Sequence, residues 1–260
     1  MNKLGKSIKK ILIVSGGRAD YDLLKPVILK LKKVKSLNIK IGITGSHLFQ
    51  KHETYKNFIR DKLNINYKIK IPFQSDTNKS ILNFFSIGVI KFGKIFSKEN
   101  FDAMIVLGDR YEIFSAVISA GFYKLPIIHI SGGETTLGVI DEPIRHSITK
   151  FANFHFVTHQ TYKKRIIQLG ENPKNVYVVG NTSVENIKNE KLLSKNEIEK
   201  KFKFKFQNEN YLITYHPVTF AKDYGILDFK NLLNFLSKKR NLGLFFTLPN
   251  ADPKNFYISK

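Results

Sequence analysis

The stretch HISGGETTLGVIDEPIRH, residues 129–146, carries His129, Glu134, Asp141, Glu142, Arg145 and His146 around a glycine-rich turn. Packing alone is a poor reason for so many titratable side chains in one short segment. Two carboxylates beside one reacting carbon can divide general acid and general base work, since one must hold the proton that the other lacks. Histidines and carboxylates are also metal ligands. The spacing matches no HExxH or comparable pattern, so no metal is expected. Asp141 has a second reading as the cap of a helix beginning near Pro143.

Three other motifs follow the same logic. GDRYE, residues 108–112, places Asp109 and Arg110 directly after an apolar run. An aspartate there is a helix cap, a catalytic carboxylate or a ligand to hydroxyl groups. SGGRADY, residues 15–21, sets two glycines and Arg18 between an apolar run and a helical pattern. Glycine lets the backbone approach a ligand, a helix N-terminus favours phosphate, and an arginine fork suits a diphosphate. A tight turn with a surface arginine explains the same residues. The motif is not GxGxxG, so no dinucleotide cofactor is expected. TYHPVT, residues 214–219, puts His216 at the end of another apolar run; a lone histidine is as readily structural as catalytic.

Positioning these groups requires strands that end where the motifs begin. Apolar, β-branched runs occur at residues 11–15, 39–45, 103–108, 126–133, 154–158 and 176–181. Between them lie helix-length amphipathic segments, at about 20–33, 55–63 and 78–96, one running through Gly121, and others at 144–152 and 160–169. Such alternation predicts an α/β fold, a Rossmann-like doubly wound parallel sheet covered on both faces. Ligands in such sheets bind beyond the carboxyl ends of the strands. The loops at Gly16–Arg18, Gly45–His47, Gly108–Arg110 and His129–Glu134 should therefore share one rim. From about 187 to 210 the chain turns charged, as a linker with a helix. Strands are expected at 211–219 and 242–250, with a helix near 229–238. The predicted organisation is a complete first domain over 1–185 and the start of a second α/β domain over 186–260.

Composition narrows the partners. The formal charge is +22, with 43 Lys and Arg against 21 Asp and Glu. Nucleic-acid binding is one explanation, but the lysines are scattered and no helix-turn-helix or RNA-binding signature is present. An anionic small substrate on a lysine-rich surface explains the charge as well. No nucleic acid and no membrane partner are expected. Cysteine is absent, which removes disulfides, thiolate nucleophiles and cysteine-ligated metals, and fits a reducing cytoplasm. No apolar run approaches the roughly 20 residues of a spanning helix.

SGGRADY, TGSHL, GDRYE, HISGGE with IDEPIRHSITK, TYHPVT and FFTLPNADP together resemble, in the same order, the hydrolysing UDP-N-acetylglucosamine 2-epimerases. The resemblance runs from about residue 11 to 253. It implies a two-domain architecture like glycosyltransferase B with the nucleotide sugar in the cleft. It also implies anti elimination of UDP to a glucal-type intermediate, followed by addition of water with inversion at C2. No cofactor is implied. By motif, Asp109 and Asp141 match catalytic carboxylates and His216 a cleft histidine. Arg18 would touch UDP, and His47 falls in a turn near the substrate. Arg110, His129, Arg145 and His146 complete the expected substrate-binding set. Many members carry glutamate where this chain has Ser131, and a hydroxyl cannot replace a proton-transferring carboxylate. Glu134, three residues later, is the expected substitute. The variant pattern also occurs in members acting on related diacetamido sugars, linked to UDP or GDP. The expected substrate is UDP-N-acetylglucosamine, with a diacetamido sugar or an inactive remnant as alternatives.

Family members continue into a further phosphate loop, GNSSSG-like, and a glutamate for the ribose. Nothing of that kind precedes Lys260, so the chain reads as a truncated member. A homo-oligomer is the expected assembly of the full-length form.

Overall fold

The computed structural model describes residues 7–49, 53–72, 77–248 and 258. The last residues of the expected final strand, and Asn250 to Pro253 of the last motif, lie outside the described residues. Contacts divide the chain into two compact units. The first holds residues 1–74, 79–137 and 141–188, and the second holds 75–78, 138–140 and 189–260.

In the first unit the elements alternate: β1 (Lys9–Ser15), α1 (Arg18–Leu31), β2 (Leu37–Ile43), α2 (Lys56–Arg60), β3 (Tyr67–Lys68) and α3 (Asn78–Phe96). Then come β4 (Ala103–Leu107), α4 (Tyr111–Phe122), β5 (Ile127–Ile130), α5 (Asp141–Phe151), β6 (Phe154–Val157), α6 (Gln160–Gln168), β7 (Val176–Val178) and α7 (Thr182–Asn189). The seven strands run in the order β3-β2-β1-β4-β5-β6-β7, and every neighbouring pair is parallel. The order reverses between β1 and β4, the place where sheets of this kind open a ligand crevice.

Side chains alternate between two cores because successive residues of a strand point to opposite faces. Leu12 and Val14 of β1 join Met104, Val106 and Ile127 under Phe84, Phe92, Ile113 and Val117 of α3 and α4. Ile11 and Ile13 join Ile41, Ile43, Ile105 and Leu107 under Tyr21, Leu24 and Ile28 of α1. Burial on both faces explains the near-continuous apolar runs. Each fully buried side chain of this size contributes about 1.5–3 kcal/mol. Helix α3 shows the periodicity plainly: Phe84, Gly88, Phe92 and Phe96 are spaced by four and all buried.

Four departures from the sequence reading have local causes. The edge strand β3 is only two residues long, too short for a periodic signal. Helix α5 begins at Asp141 rather than near Pro143, so Asp141 lies within the first turn. The expected strand at 126–133 ends at Ile130, because Ser131 and Gly133 adopt φ of 61° and 76° and turn the chain away. The charged segment after residue 187 holds the end of α7, which begins earlier at Thr182, and all of α8 (Lys195–Phe202), which Ser194 and Glu197 cap reciprocally.

The second unit holds a parallel pair, β8 (Glu209–Ile213) and β9 (Leu242–Phe246), joined through α9 (Ile226–Ser237). Tyr215 packs on Phe229, with ring centroids 4.9 Å apart. No described helix is long and apolar enough to cross a membrane.

Candidate active site

The ends of β1 and β2 are fastened by His47. Its Nε2 lies 2.8 Å from Ser15 Oγ and its Nδ1 2.7 Å from Thr54 Oγ1. The ring is fully buried, edge-on to Phe58, and burial pushes its pKa down to about 4. Both ring nitrogens are engaged by the protein, so His47 shapes the turn and presents no nitrogen to a ligand, contrary to its expected role.

At the start of α1 the amides of Gly16 and Gly17 donate to Asp20 Oδ2 at 2.8 and 3.1 Å. The helix N-terminus is therefore capped by its own carboxylate rather than left open for phosphate. Burial first, and the Glu112 carboxylate second, raise Asp20 to about 7 against the pull of the two amides and Arg110. Arg18 stands exposed one residue beyond this cap.

After β4 the chain splits the roles of GDRYE. Arg110 turns toward Glu112, with Nε 3.6 Å from Oε1, and Glu112 is itself buried. Asp109 takes the opposite course and pairs through Oδ2 with Nη2 of Arg145 on α5.

Within β5, one residue before its end, His129 is fully buried; its Nε2 donates to Gly108 O at 2.8 Å and its Nδ1 faces Thr149 Oγ1 at 3.2 Å. Burial drives its pKa down to about 3, against the Gly108 hydrogen bond. Like His47, it ties strand ends together instead of meeting a ligand. Beyond it, Arg165 of α6 donates to Gly133 O, and Thr158, directly after β6, donates to Glu134 Oε1 at 2.9 Å. Arg145 Nη1 donates to Glu134 O at 2.9 Å and to Glu142 Oε2 at 3.4 Å, and Nη2 also donates to Thr136 Oγ1 at 3.1 Å. Burial alone would raise Glu142, but the Thr136 amide, His146 and Arg145 outweigh it and hold the carboxyl below its usual range. His146 Nε2 lies 3.2 Å from Glu142 Oε1.

Asp109, Glu134, Glu142, Arg145 and His146 thus converge at the carboxyl ends of β4, β5 and β6. Asp141 stands half-buried in the first turn of α5. His216 belongs to the second unit, half-buried in the loop after β8. Asp20, Glu112, Thr136, Thr149 and Thr158 are site residues that the sequence reading left out. Among the described residues no group of three or more His, Cys, Asp or Glu is placed to hold a metal ion.

The family model for UDP-N-acetylglucosamine 2-epimerase matches residues 29–259. The chain belongs to this family. A Campylobacter jejuni epimerase-family relative, GDP/UDP-N,N'-diacetylbacillosamine 2-epimerase (hydrolyzing), is 38% identical over 98% of this chain and 66% of its own length. The polysialic acid biosynthesis protein P7 of Escherichia coli is 36% identical over 97% of this chain and 65% of its own. The chain thus spans just under two-thirds of the length of these two relatives. In fold it is similar to the S. aureus MnaA–UDP co-structure, with a TM-score of 0.76 at 19% identity over 96% of this chain and 65% of that one.

Proposed function

We propose that this family member acts as a hydrolysing 2-epimerase on a nucleotide-linked sugar of the N,N'-diacetylbacillosamine type. The name of the C. jejuni relative supports that sugar over N-acetylglucosamine. Ser131, at a position where many members carry glutamate and where the variant pattern resembles members acting on diacetamido sugars, supports the same choice.

The reading is carried by one observation: Asp109 and the loop bearing Glu134 are held by the same guanidinium at the strand-end rim. In the proposed reaction a carboxylate takes the proton from C2 while the C1–O bond breaks and the nucleoside diphosphate leaves. Water then adds its hydroxyl to C1, and a proton returns to C2 on the other face. Asp109 and Glu134 supply the proton-exchanging carboxylates. Asp141 and His216 serve as further acid–base groups, and the exposed Arg18 meets the diphosphate. The division into domains over 1–185 and 186–260 is part of this proposal.

The test is nucleotide release from the UDP- and GDP-linked diacetamido sugars and from UDP-N-acetylglucosamine, with Asp109→Asn as control. Release confined to the diacetamido sugars and abolished in the control supports the reading. Preference for UDP-N-acetylglucosamine would overturn the substrate, and an active Asp109→Asn chain would overturn the mechanism.

A further inference from the structure

We infer that Arg145 is not a substrate ligand but the positioning residue that sets the two proton-exchanging carboxylates relative to one another. The inference rests on the function proposed above. It starts from a donor inventory: each terminal nitrogen of a guanidinium carries two hydrogens. Nη1 faces the main-chain oxygen of Glu134 and Oε2 of Glu142, and Nη2 faces Asp109 Oδ2 and Thr136 Oγ1. Four acceptors meet four terminal hydrogens, and the side chain is only 7% exposed. A guanidinium so engaged has no terminal donor left for phosphate or a sugar hydroxyl.

The four acceptors come from three places in the chain. Asp109 follows β4, Glu134 and Thr136 lie in the loop after β5, and Glu142 lies in the first turn of α5 beside Arg145 itself. Glu142 is also bound by the amide of Thr136, which closes the set into a ring of contacts. The loop after β5 begins at Ser131 with a positive φ, a conformation a non-glycine residue keeps only where its surroundings enforce it. Arg145, together with Arg165 on Gly133 O, supplies that enforcement through main-chain oxygens. Side-chain substitutions in the loop leave such contacts intact. Two carboxylates that exchange protons with opposite faces of one carbon must be held at a fixed separation, since misplacement by about 1 Å costs on the order of 100-fold in rate.

The experiment compares Arg145→Ala, Arg145→Lys and Thr136→Val in steady-state turnover of the active nucleotide sugar, alongside hydrogen exchange of the 131–137 segment. Positioning predicts that Arg145→Ala loses about 100-fold or more in kcat while KM changes less than about threefold. Added guanidinium chloride at tens of millimolar should restore part of kcat, and equal sodium chloride should restore none. Arg145→Lys keeps the charge but not the four-way fork, and should recover little. Should Arg145→Ala not fold, Arg145→Lys and Thr136→Val decide, by the same fall in kcat at constant KM. A rise in KM at unchanged kcat would make Arg145 a ligand and overturn the inference. If the unsubstituted chain turns over no nucleotide sugar, the proposed function fails by itself. The clamp is then judged by exchange: at least about tenfold faster at Thr136 in the folded variants supports it, and unchanged exchange overturns it.

Discussion

The hydroxyl of Thr158 donates to Glu134 Oε1 across 2.9 Å, joining the loop after β6 to the loop after β5. One bond of this kind to a charged group is worth about 1.5–3 kcal/mol. Thr158→Val keeps the shape and removes the donor, so kcat should fall by about tenfold or more with KM held, while Thr158→Ser retains most activity. Equal loss in both variants would show that the methyl group, not the hydroxyl, is what matters.

Gly133 and Gly108 separate conformational strain from steric exclusion. Both have positive φ, 76° and 77°. A Cβ at Gly133 would lie 2.7 Å from Tyr162 O, whereas one at Gly108 meets nothing within 4 Å. Alanine at Gly108 should cost about 1 kcal/mol from the left-handed conformation alone. Alanine at Gly133 must also push α6 away, and should cost about 2 kcal/mol more. Urea unfolding of the two variants measures the difference; equal losses would mean that α6 yields without cost.

His47 ties stability to acid. Its folded value of about 4 lies below the ordinary 6.5. Between those values the unfolded chain binds a proton that the folded chain refuses, so stability falls as pH drops from 6.5 to 4. At about 1.4 kcal/mol per unit the loss is about 3 kcal/mol. His47→Gln removes the titration. The stability difference between variant and parent should then move in the variant's favour on acidification, and a pH-independent difference would contradict it.

Asp20 works in the opposite direction. Its folded value of about 7 lies above the ordinary 3.8, so the folded chain keeps a proton that the unfolded chain has released. Stability attributable to this group declines as pH rises from 4 to 7, by at most about 4 kcal/mol. Asp20→Asn should gain relative to the parent over that window, read by denaturant midpoints at pH 4 and 8. A gain at pH 4 equal to that at pH 8 would rule out the titration as its cause.

The sheet was legible because its strands are buried on both faces and read as apolar runs. Helix α3, at residues 78–96 in both sequence and structure, was legible because four buried positions recur at intervals of four. The rim was legible as well, since a parallel sheet sends all its carboxyl ends one way. Which rim groups face one another was not. His47 and His129 look like ligands in sequence, and only pairing between distant strands reveals that Ser15, Thr54, Gly108 and Thr149 occupy their nitrogens. Thr158 sits in an unremarkable strand end, and its value comes from β6 lying beside β5. Asp20 was accessible in principle, as the third residue after Gly17 in a capping pattern.

The most direct test of the proposed chemistry is the fate of the C2 hydrogen. Turnover of UDP- or GDP-linked N,N'-diacetylbacillosamine in deuterium oxide, followed by proton NMR of the free sugar, reads it out. Elimination and rehydration predict a nucleoside diphosphate, a sugar inverted at C2, and one deuterium at that carbon. A released sugar with retained C2 configuration and its original hydrogen would mean simple hydrolysis, and would contradict the assignment of Asp109 and Glu134 as proton-exchanging carboxylates.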